Sequence, residues 1–325
     1  MLDVENLNVR IRTPEGVLHA VQDLSFSVAA GETLAIVGES GCGKSVTALA
    51  LMGLMPKTGQ RTATRLQFDG IDLQTLSARQ LQALRGNRVS MIFQEPMTAL
   101  NPVLTIGQQL GDVLRAHRKV SRAQADARAI ELLDRVGVPN PSGRLRQYPH
   151  ELSGGLRQRV VIAMALMCEP ELIIADEPTT ALDVTIQAEL LKLLSELQRD
   201  MGLGMILITH DVGIVSRIAD RVLVMYAGQE IESGTAPQIF SDPAHPYTRG
   251  LLASVPSSDH PRMQPLPAIP GTVPLLIGER HACHFMDRCA LAQPACARPV
   301  TLQQAADGRR LRCVQPRPEF AETPA

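Results

Sequence analysis

Glycines, a lysine and a serine stand between residues 38 and 45 at a spacing that binds phosphate, G-x-x-x-x-G-K-[ST]. The glycines let the backbone close around phosphate oxygens without a clashing Cβ atom, so that several backbone N–H groups point at one spot. Lys44 is expected to reach the β- and γ-phosphates, and the Ser45 hydroxyl to bind Mg²⁺. The nucleotide contacts predicted for this segment are Gly38, Glu39, Ser40, Gly41, Cys42, Gly43, Lys44, Ser45 and Val46.

The segments on either side of this loop support the same interpretation. Residues 33–37 form a short apolar run that is typical of a buried parallel strand, and residues 46–52 have helical character. A strand, a glycine-rich loop and a helix in this order aim the positive end of the helix dipole at a bound anion. A glycine-rich surface turn is the alternative, and the flanking strand and helix argue against it.

Two acids follow a second apolar run, at residues 172–175. An acid at the end of a buried parallel strand lies at the edge of the sheet where phosphate loops also lie. We therefore expect Asp176 to bind Mg²⁺ through water, and Glu177 to polarise a water molecule as a base. The alternative is a solvated strand end without a chemical role.

A second potential anion site begins at Ser153, which is followed by Gly154 and Gly155. Ser153 resembles the N-cap of a helix that begins near Leu156, and the two glycines would expose backbone N–H groups at its start. A plain helix cap is the alternative, and it would be preferred if this segment stood alone.

The order of the predicted elements indicates an α/β protein. Apolar and polar residues alternate over residues 1–30, with a turn at residues 13–16, which predicts an antiparallel sheet. Residues 95–160 have helical character. The apolar runs at 172–175 and 204–208 flank a predicted helix at 184–200. This alternation predicts a parallel sheet with helices on both faces.

The composition excludes several classes of protein. The chain has 325 residues, of which 45% are hydrophobic, and a formal net charge of −1, so no global positive field attracts nucleic acid. No apolar run approaches the ~18 residues of a membrane span. The first residues include Asp3 and Glu5 and show no signal-peptide pattern, so we expect a cytosolic protein.

Together, these features resemble the ATP-binding subunits of ABC transporters over residues 1–255. Further motifs of that family follow in its order: Gln94 in the Q-loop, the signature at residues 152–155, the D-loop at Ala181, Leu182 and Asp183, and His210 as the switch histidine. The resemblance implies a P-loop NTPase cassette with a parallel-sheet core, an antiparallel β subdomain and a helical subdomain at about residues 95–160.

The resemblance also implies a mechanism. ATP hydrolysis would use Glu177 with His210 and Gln94, and Mg²⁺ would be held by Ser45, Gln94 and Asp176. Two cassettes would form a head-to-tail dimer, in which the signature of one covers ATP on the phosphate loop of the other. The residues that the resemblance implies for this shared site are Ser153, Gly154, Gly155 and Asp183.

Two features depart from the pattern of the family. The fifth signature position, which is often Gln, is Leu156 in this chain. The family often places an aromatic residue before the phosphate loop to stack on adenine, and this sequence has none there. Ile11 and Val21 are aliphatic candidates for that contact, and the assignment stays open.

A narrower resemblance, to the dipeptide/oligopeptide importer group, rests on residues 94–102 (QEPMTALNP), residues 245–251 (HPYTRGL) and a cysteine-rich tail. It implies that ATP hydrolysis powers the import of di- or oligopeptides, with nickel, glutathione and opines as alternative solutes. In this group two different but related cassettes usually serve two transmembrane permease subunits and an extracytoplasmic solute-binding protein. The cassette would then lie at the cytoplasmic face of the inner membrane.

Two other classes of ABC protein differ from this chain. Soluble ABC ATPases that act on DNA or ribosomes usually carry two cassettes, long coiled coils or basic arms. Exporter cassettes are normally fused to membrane helices. This sequence has one cassette, no heptad run and no net positive charge, so both classes are disfavoured.

The last part of the chain has a different character. Six prolines between residues 256 and 274 predict an extended linker. Residues 275–325 are predicted to form a small module that does not contribute to the core of the cassette. Four thiolates can hold a zinc ion or a [4Fe–4S] cluster, and some members of the importer group carry the cluster. Free thiols are the remaining alternative, and His281 and His284 are further candidate ligands for zinc. The candidate metal ligands, spaced C-x₅-C-x₆-C-x₁₆-C, are Cys283, Cys289, Cys296 and Cys313.

Overall fold

The computed structural model describes residues 1–180, 183–255 and 267–315. The strands, in chain order, are β1 (Leu2–Thr13), β2 (Gly16–Val28), β3 (Thr33–Val37), β4 (Gly59–Thr62), β5 (Arg65–Phe68), β6 (Ile71–Asp72), β7 (Val89–Ile92), β8 (Leu172–Asp176), β9 (Gly204–Thr209), β10 (Arg221–Tyr226), β11 (Gln229–Thr235), β12 (Gln303–Gln304) and β13 (Arg310–Leu311). The helices are α1 (Lys44–Met52), α2 (Ala78–Leu84), α3 (Pro96–Ala99), α4 (Ile106–His117), α5 (Arg122–Arg135), α6 (Pro141–Arg144), α7 (Gly154–Leu166), α8 (Val184–Met201), α9 (Val212–Ile218), α10 (Ala236–Ser241) and α11 (Pro246–Ala253).

The chain divides into two compact units. The first contains residues 1–27, 33–72 and 209–325, and the second contains residues 28–32 and 73–208. The first unit therefore holds the phosphate loop together with the cysteine-rich tail, and the second holds the predicted helical insertion and the strand-end acids. In the part of the chain that the structure describes, no helix combines the length and the apolar character needed to cross a membrane.

An antiparallel sheet in the first unit has the strand order β2–β1–β5–β6, and β4 also pairs with β1. The alternation that predicted this sheet is visible in its burial, because Leu2, Val4, Leu7 and Val9 all face the interior. The turn predicted at residues 13–16 separates β1 from β2, which confirms that part of the sequence analysis.

The first unit also contains the strand that leads into the phosphate loop. β3 is fully buried and pairs in parallel with β10, which forms a hairpin with β11. The tail then adds two short strands, since β13 pairs with β11 and β12 pairs with β13. Part of the tail, which the sequence predicts to be a separate module, therefore extends this sheet.

The second unit is built on three parallel strands. β8 pairs with β7 on one side and with β9 on the other, and both β8 and β9 are buried along their whole length. α8 connects β8 to β9, as the predicted alternation of strand and helix requires. The predicted helical insertion contains α4, α5 and α7, and each of the three packs against the other two.

The tail packs against the cassette, so the expectation that it forms a separate module outside the core was wrong. Leu276 and Phe285 belong to the same buried cluster as Val37, Tyr226 and Tyr247. The ring of Phe285 lies 5.1 Å from that of Tyr226 and 5.3 Å from that of Tyr247, in edge-on contacts. A segment of this size has little apolar surface of its own, so it gains stability by burying its large side chains against the cassette. The linker predicted at 256–274 lies outside the described residues up to position 266.

Candidate nucleotide and metal sites

The phosphate loop joins β3 to α1, as its sequence predicts, and its glycines are required by the geometry. Gly38 has φ 154°, and a Cβ atom there would lie 2.3 Å from the carbonyl oxygen of Met225. Gly43 has φ 106°, and its Cβ atom would lie 2.4 Å from the carbonyl oxygen of Ala20. Any larger residue would force the loop away from its neighbouring strands, so the loop path depends on these two positions.

Lys44 is the first residue of α1 and is only 4% exposed. Its ammonium group donates hydrogen bonds to the carbonyl oxygens of Gly38, at 2.7 Å, and Glu39, at 2.9 Å. Burial raises the pKa of the neighbouring Cys42 thiol, although the positive charge of Lys44 opposes this. The loop thus folds around its own lysine. When a nucleotide binds, the ammonium group can donate to phosphate oxygens in place of these carbonyl oxygens.

The strand-end acids occupy the predicted positions in the second unit. Asp176 is the last residue of β8 and is 5% exposed, whereas Glu177 is half-buried. Glu177 adopts a positive φ of 45°, a conformation that costs a non-glycine residue energy. Its backbone N–H donates to the carbonyl oxygen of Ile208, at 2.9 Å, which fixes the turn after the strand.

Gln94 lies within hydrogen-bonding distance of the predicted base. Its amide donates to Oε2 of Glu177 at 3.0 Å, and the Thr180 hydroxyl donates to the same oxygen at 2.8 Å. The structure therefore brings together two of the three residues assigned to catalysis. Thr180 was missed by sequence analysis, which stopped at the two acids.

The signature serine occupies the N-cap of α7, but its side chain makes no capping hydrogen bond. The helix begins at Gly154, earlier than the predicted start near Leu156. Ser153 and Gly154 are exposed, and Gly155 is partly so. The position predicted for Ser153 is thus confirmed, while a capping role for its hydroxyl is wrong, and the hydroxyl is available to a ligand.

The remaining nucleotide motifs also lie at element ends. His210 is exposed directly after β9, and Asp211 caps the following helix by accepting hydrogen bonds from the N–H groups of Gly213 and Ile214. Asp183 is the exposed N-cap of α8. The other D-loop residues, Ala181 and Leu182, lie outside the described residues.

The two aliphatic candidates for the adenine contact differ in exposure. Val21 is buried in the antiparallel sheet, so it offers no surface to a base. Ile11 is half-buried on β1, opposite Gly59 of β4. Of the two, only Ile11 keeps an accessible side chain.

All four tail cysteines line one small cavity, together with His245, Phe285 and other residues. Burial raises the pKa of Cys283 to about 11 and also raises the pKa of Cys289 and Cys313. Within residues 1–180, 183–255 and 267–315, no group of three or more His, Cys, Asp or Glu side chains is arranged to hold a metal ion. The thiols therefore surround a space and do not converge on a single point.

The histidines near this cavity are not the ones that the sequence suggested. His281 and His284 line a different cavity, and a ring nitrogen of His284 is bonded to the carbonyl oxygen of Ala227 at 2.9 Å. His245 instead lines the cysteine cavity, and among the described residues its buried Nε2 atom makes no hydrogen bond of regular geometry. In the sequence, His245 stands in a family motif far from the tail, and this distance conceals its place beside the cysteines.

A phosphate loop on a strand–helix junction and a buried strand ending in two acids define a P-loop ATPase cassette. Two family models match: that of the ABC transporter at residues 21–180, and that of the oligopeptide/dipeptide transporter, C-terminal region, at residues 231–296. The chain belongs to the family of ATP-binding subunits of ABC transporters, and its activity is the ATP hydrolysis of that family.

Curated relatives and solved structures agree with this assignment. The chain is 52% identical to the dipeptide transport ATP-binding protein of Bacillus subtilis, over 92% of this chain and 89% of the relative. It is 48% identical to the oligopeptide transport ATP-binding protein of Salmonella typhimurium, over 97% and 94%. Among solved structures, a dimeric ATP-binding cassette bound to ADP and Pi matches with TM-score 0.64 and 26% identity, over 73% of this chain and 99% of the other.

Proposed function

We propose that this chain hydrolyses ATP to power the import of di- or oligopeptides across the cytoplasmic membrane. Identities of 48–52% to dipeptide and oligopeptide transport ATP-binding proteins support this, since they extend over nearly the whole chain. The observation that carries the proposal is the match of residues 231–296 to the C-terminal region of oligopeptide/dipeptide transporters, because the ATP-binding core alone would not distinguish solutes.

The proposed assembly contains four core subunits. This chain pairs with a second, related ATP-binding subunit, and the pair docks on two transmembrane permease subunits at the cytoplasmic face of the inner membrane. A solute-binding protein on the other side delivers the peptide, so the cassette never touches the solute. Nucleic acid is not a partner, in keeping with the net charge of −1.

Within this assembly, Glu177 is the proposed base that accepts a proton from the attacking water. Gln94 and Thr180 hold one oxygen of its carboxylate, so the carboxylate is oriented before the reaction. His210 acts with Glu177 in hydrolysis, and Lys44 transfers its hydrogen bonds from loop carbonyls to phosphate.

A magnesium site is implied by this chemistry, and the residues named for it from the sequence carry suitable donor atoms. A hydroxyl, an amide and a carboxylate, from Ser45, Gln94 and Asp176, supply the oxygen ligands that Mg²⁺ prefers. When bound, the ion neutralises charge on the phosphate oxygens.

The second half of the proposed site comes from the partner cassette. The Ser153 hydroxyl makes no capping bond and is exposed at the start of α7, where backbone N–H groups and the helix dipole favour an anion. With Gly154, Gly155 and Asp183, it would cover ATP on the phosphate loop of the other subunit.

We further propose that the tail holds a [4Fe–4S] cluster on Cys283, Cys289, Cys296 and Cys313. A cluster binds each thiolate at a different iron, so it needs thiols that surround a cavity, as these four do. The His245 ring lines the same cavity, and its Nδ1 accepts a hydrogen bond from the Tyr247 N–H. Zinc on the same cysteines is the alternative that metal analysis distinguishes.

Uptake by cells tests the proposed solute. Cells that produce this chain with the other proposed subunits should accumulate labelled di- or oligopeptide, and cells that produce the Glu177→Gln variant with the same subunits should not. Accumulation of nickel, glutathione or an opine, with no peptide uptake, would contradict the proposed substrate and leave the ATPase assignment intact.

A further inference from the structure

Glu39, in the phosphate loop, is held through each of its polar groups. Its backbone N–H donates to the hydroxyl of Tyr247 at 2.8 Å. Its carbonyl oxygen accepts from Lys44 at 2.9 Å and from the N–H of Cys42 at 3.3 Å. Its carboxylate lies 3.0 Å from Nη1 of Arg288. Two of these contacts remain within the loop, and the other two come from the C-terminal region of the chain.

Arg288, which contacts the Glu39 carboxylate, is itself buried among hydrogen-bond acceptors. Its side chain is 7% exposed, although arginine is rarely buried without a set of partners. Its five N–H donors meet five acceptor groups: the Glu39 carboxylate, the Tyr226 hydroxyl and the carbonyl oxygens of residues 269, 270 and 271. The guanidinium group also lies 5.7 Å from the centre of the Tyr226 ring. These contacts restrain the guanidinium group and, through it, the Glu39 carboxylate.

Tyr247 provides the second contact from the same region. It is fully buried in the aromatic cluster with Tyr226 and Phe285, and burial raises the pKa of its hydroxyl, which therefore stays neutral. Both Tyr247 and Arg288 lie within residues 231–296, which match the transporter C-terminal region. The C-terminal region therefore contacts the phosphate loop directly.

We propose that Arg288 is a positioning residue for nucleotide binding, which acts on the phosphate loop through Glu39. A rotation of the backbone at Glu39 would move its carbonyl oxygen, which contacts Lys44, and the N–H groups that follow it in the loop. By holding the Glu39 carboxylate, Arg288 keeps the loop in one arrangement, so less conformational freedom is lost when triphosphate binds. The proposal rests on the nucleotide role of the loop, and it depends neither on the transported solute nor on metal in the tail.

Nucleotide titration of the full-length chain tests this, with no permease or solute present. We expect Arg288→Gln to raise the Kd for a fluorescent ATP analogue about 5- to 10-fold, within the range of coupling between residues in contact. Glu39→Gln should have a similar effect, and the double variant should be no worse than either single one. Arg288→Lys keeps the charge without the planar fork, so it should restore affinity only in part.

Arg309→Gln is the matched control. Arg309 is also a tail arginine with an 8% exposed side chain, but its partners are Asp242 and Asp307, not the phosphate loop. It should lower the melting temperature and leave the Kd unchanged. In the assembled transporter, Arg288→Gln should raise the KM for ATP and leave kcat within about twofold, because no group at the reacting atoms is changed.

Two results would overturn the proposal. One is equal increases in Kd for Arg288→Gln and Arg309→Gln, which would indicate general loosening of the fold. The other is an unchanged Kd in a folded Glu39→Gln variant, which is close to isosteric and keeps the comparison available if Arg288→Gln does not fold.

Discussion

The amide of Gln94 donates a 3.0 Å hydrogen bond to the carboxylate of Glu177. These residues are 83 positions apart in the chain, and each follows a buried parallel strand, β7 or β8, of the same unit. Because the two strands are neighbours and run in the same direction, their carboxyl ends meet at one edge of the sheet. A displacement of Gln94, which precedes the helical insertion, would therefore break a hydrogen bond to the proposed base.

Glu177→Gln should keep ATP binding and lose most turnover. The amide is nearly the same size as the carboxylate but cannot accept the proton of the attacking water, and loss of a general base costs about 10²- to 10⁴-fold in rate. Phosphate release by the assembled transporter measures this, and an ATP-trapped closed dimer should accumulate. Wild-type turnover in this variant would show that another group is the base.

Lys44→Ala should weaken nucleotide binding itself. The substitution removes the ammonium group that now bonds to Gly38 and Glu39 and that would bond to phosphate. Charge-assisted hydrogen bonds of this kind are worth about 1.5–3 kcal/mol, so affinity should fall about 10- to 100-fold. Equilibrium titration of the isolated chain gives the value, with Lys192→Ala on the exposed face of α8 as the control. Comparable affinities for the two variants would contradict the role of Lys44.

Ser153→Arg separates the two halves of the proposed shared site. The residue is exposed at the start of α7, so a long side chain there should be tolerated by the isolated chain. Nucleotide binding by the monomer should be nearly unchanged, while ATP hydrolysis by the assembled transporter should be blocked by steric exclusion of the partner's ATP. An equal loss of binding in the monomer would mean that Ser153 serves its own phosphate loop.

Cys289→Ser tests the tail. Anaerobically purified wild-type chain should be brown and carry about four irons, the [4Fe–4S] stoichiometry, and the variant should lose them. Cys168→Ser, which removes a buried thiol in the second unit, should keep the iron.

Metal analysis of the same samples decides between the alternatives. Colourless wild-type protein with one zinc per chain would eliminate the cluster and keep a metal in the tail. Metal-free protein with four alkylatable thiols and an ordered tail would eliminate both.

Local pattern was sufficient to predict the phosphate loop, because its chemistry and its backbone path both come from contiguous residues. The strand over residues 33–37 was predicted with its observed bounds, and β8, α8 and β9 were each predicted to within one residue. Their signals are period and composition, which the sequence displays directly.

Contacts between distant segments could not be predicted in the same way. The Arg288–Glu39 pair joins residues 249 positions apart, and neither residue type at its position indicates the other. The packing of Phe285 against Tyr226 and Tyr247 likewise depends on complementary shape, which local sequence does not display. The proline-rich linker and the clustered cysteines therefore suggested a separate module. The positive φ of Glu177 follows from the turn after β8, which no local preference of glutamate would predict.

ATP hydrolysis in vesicles tests the central claim most directly. The chain would be reconstituted with its partner cassette, both permeases and the solute-binding protein, and phosphate release would be measured with and without di- or oligopeptides. We predict that peptide stimulates hydrolysis by the wild-type complex and has no effect when Glu177→Gln is present. Hydrolysis that responds to another solute and not to peptides, or that persists in the Glu177→Gln complex, would contradict this account.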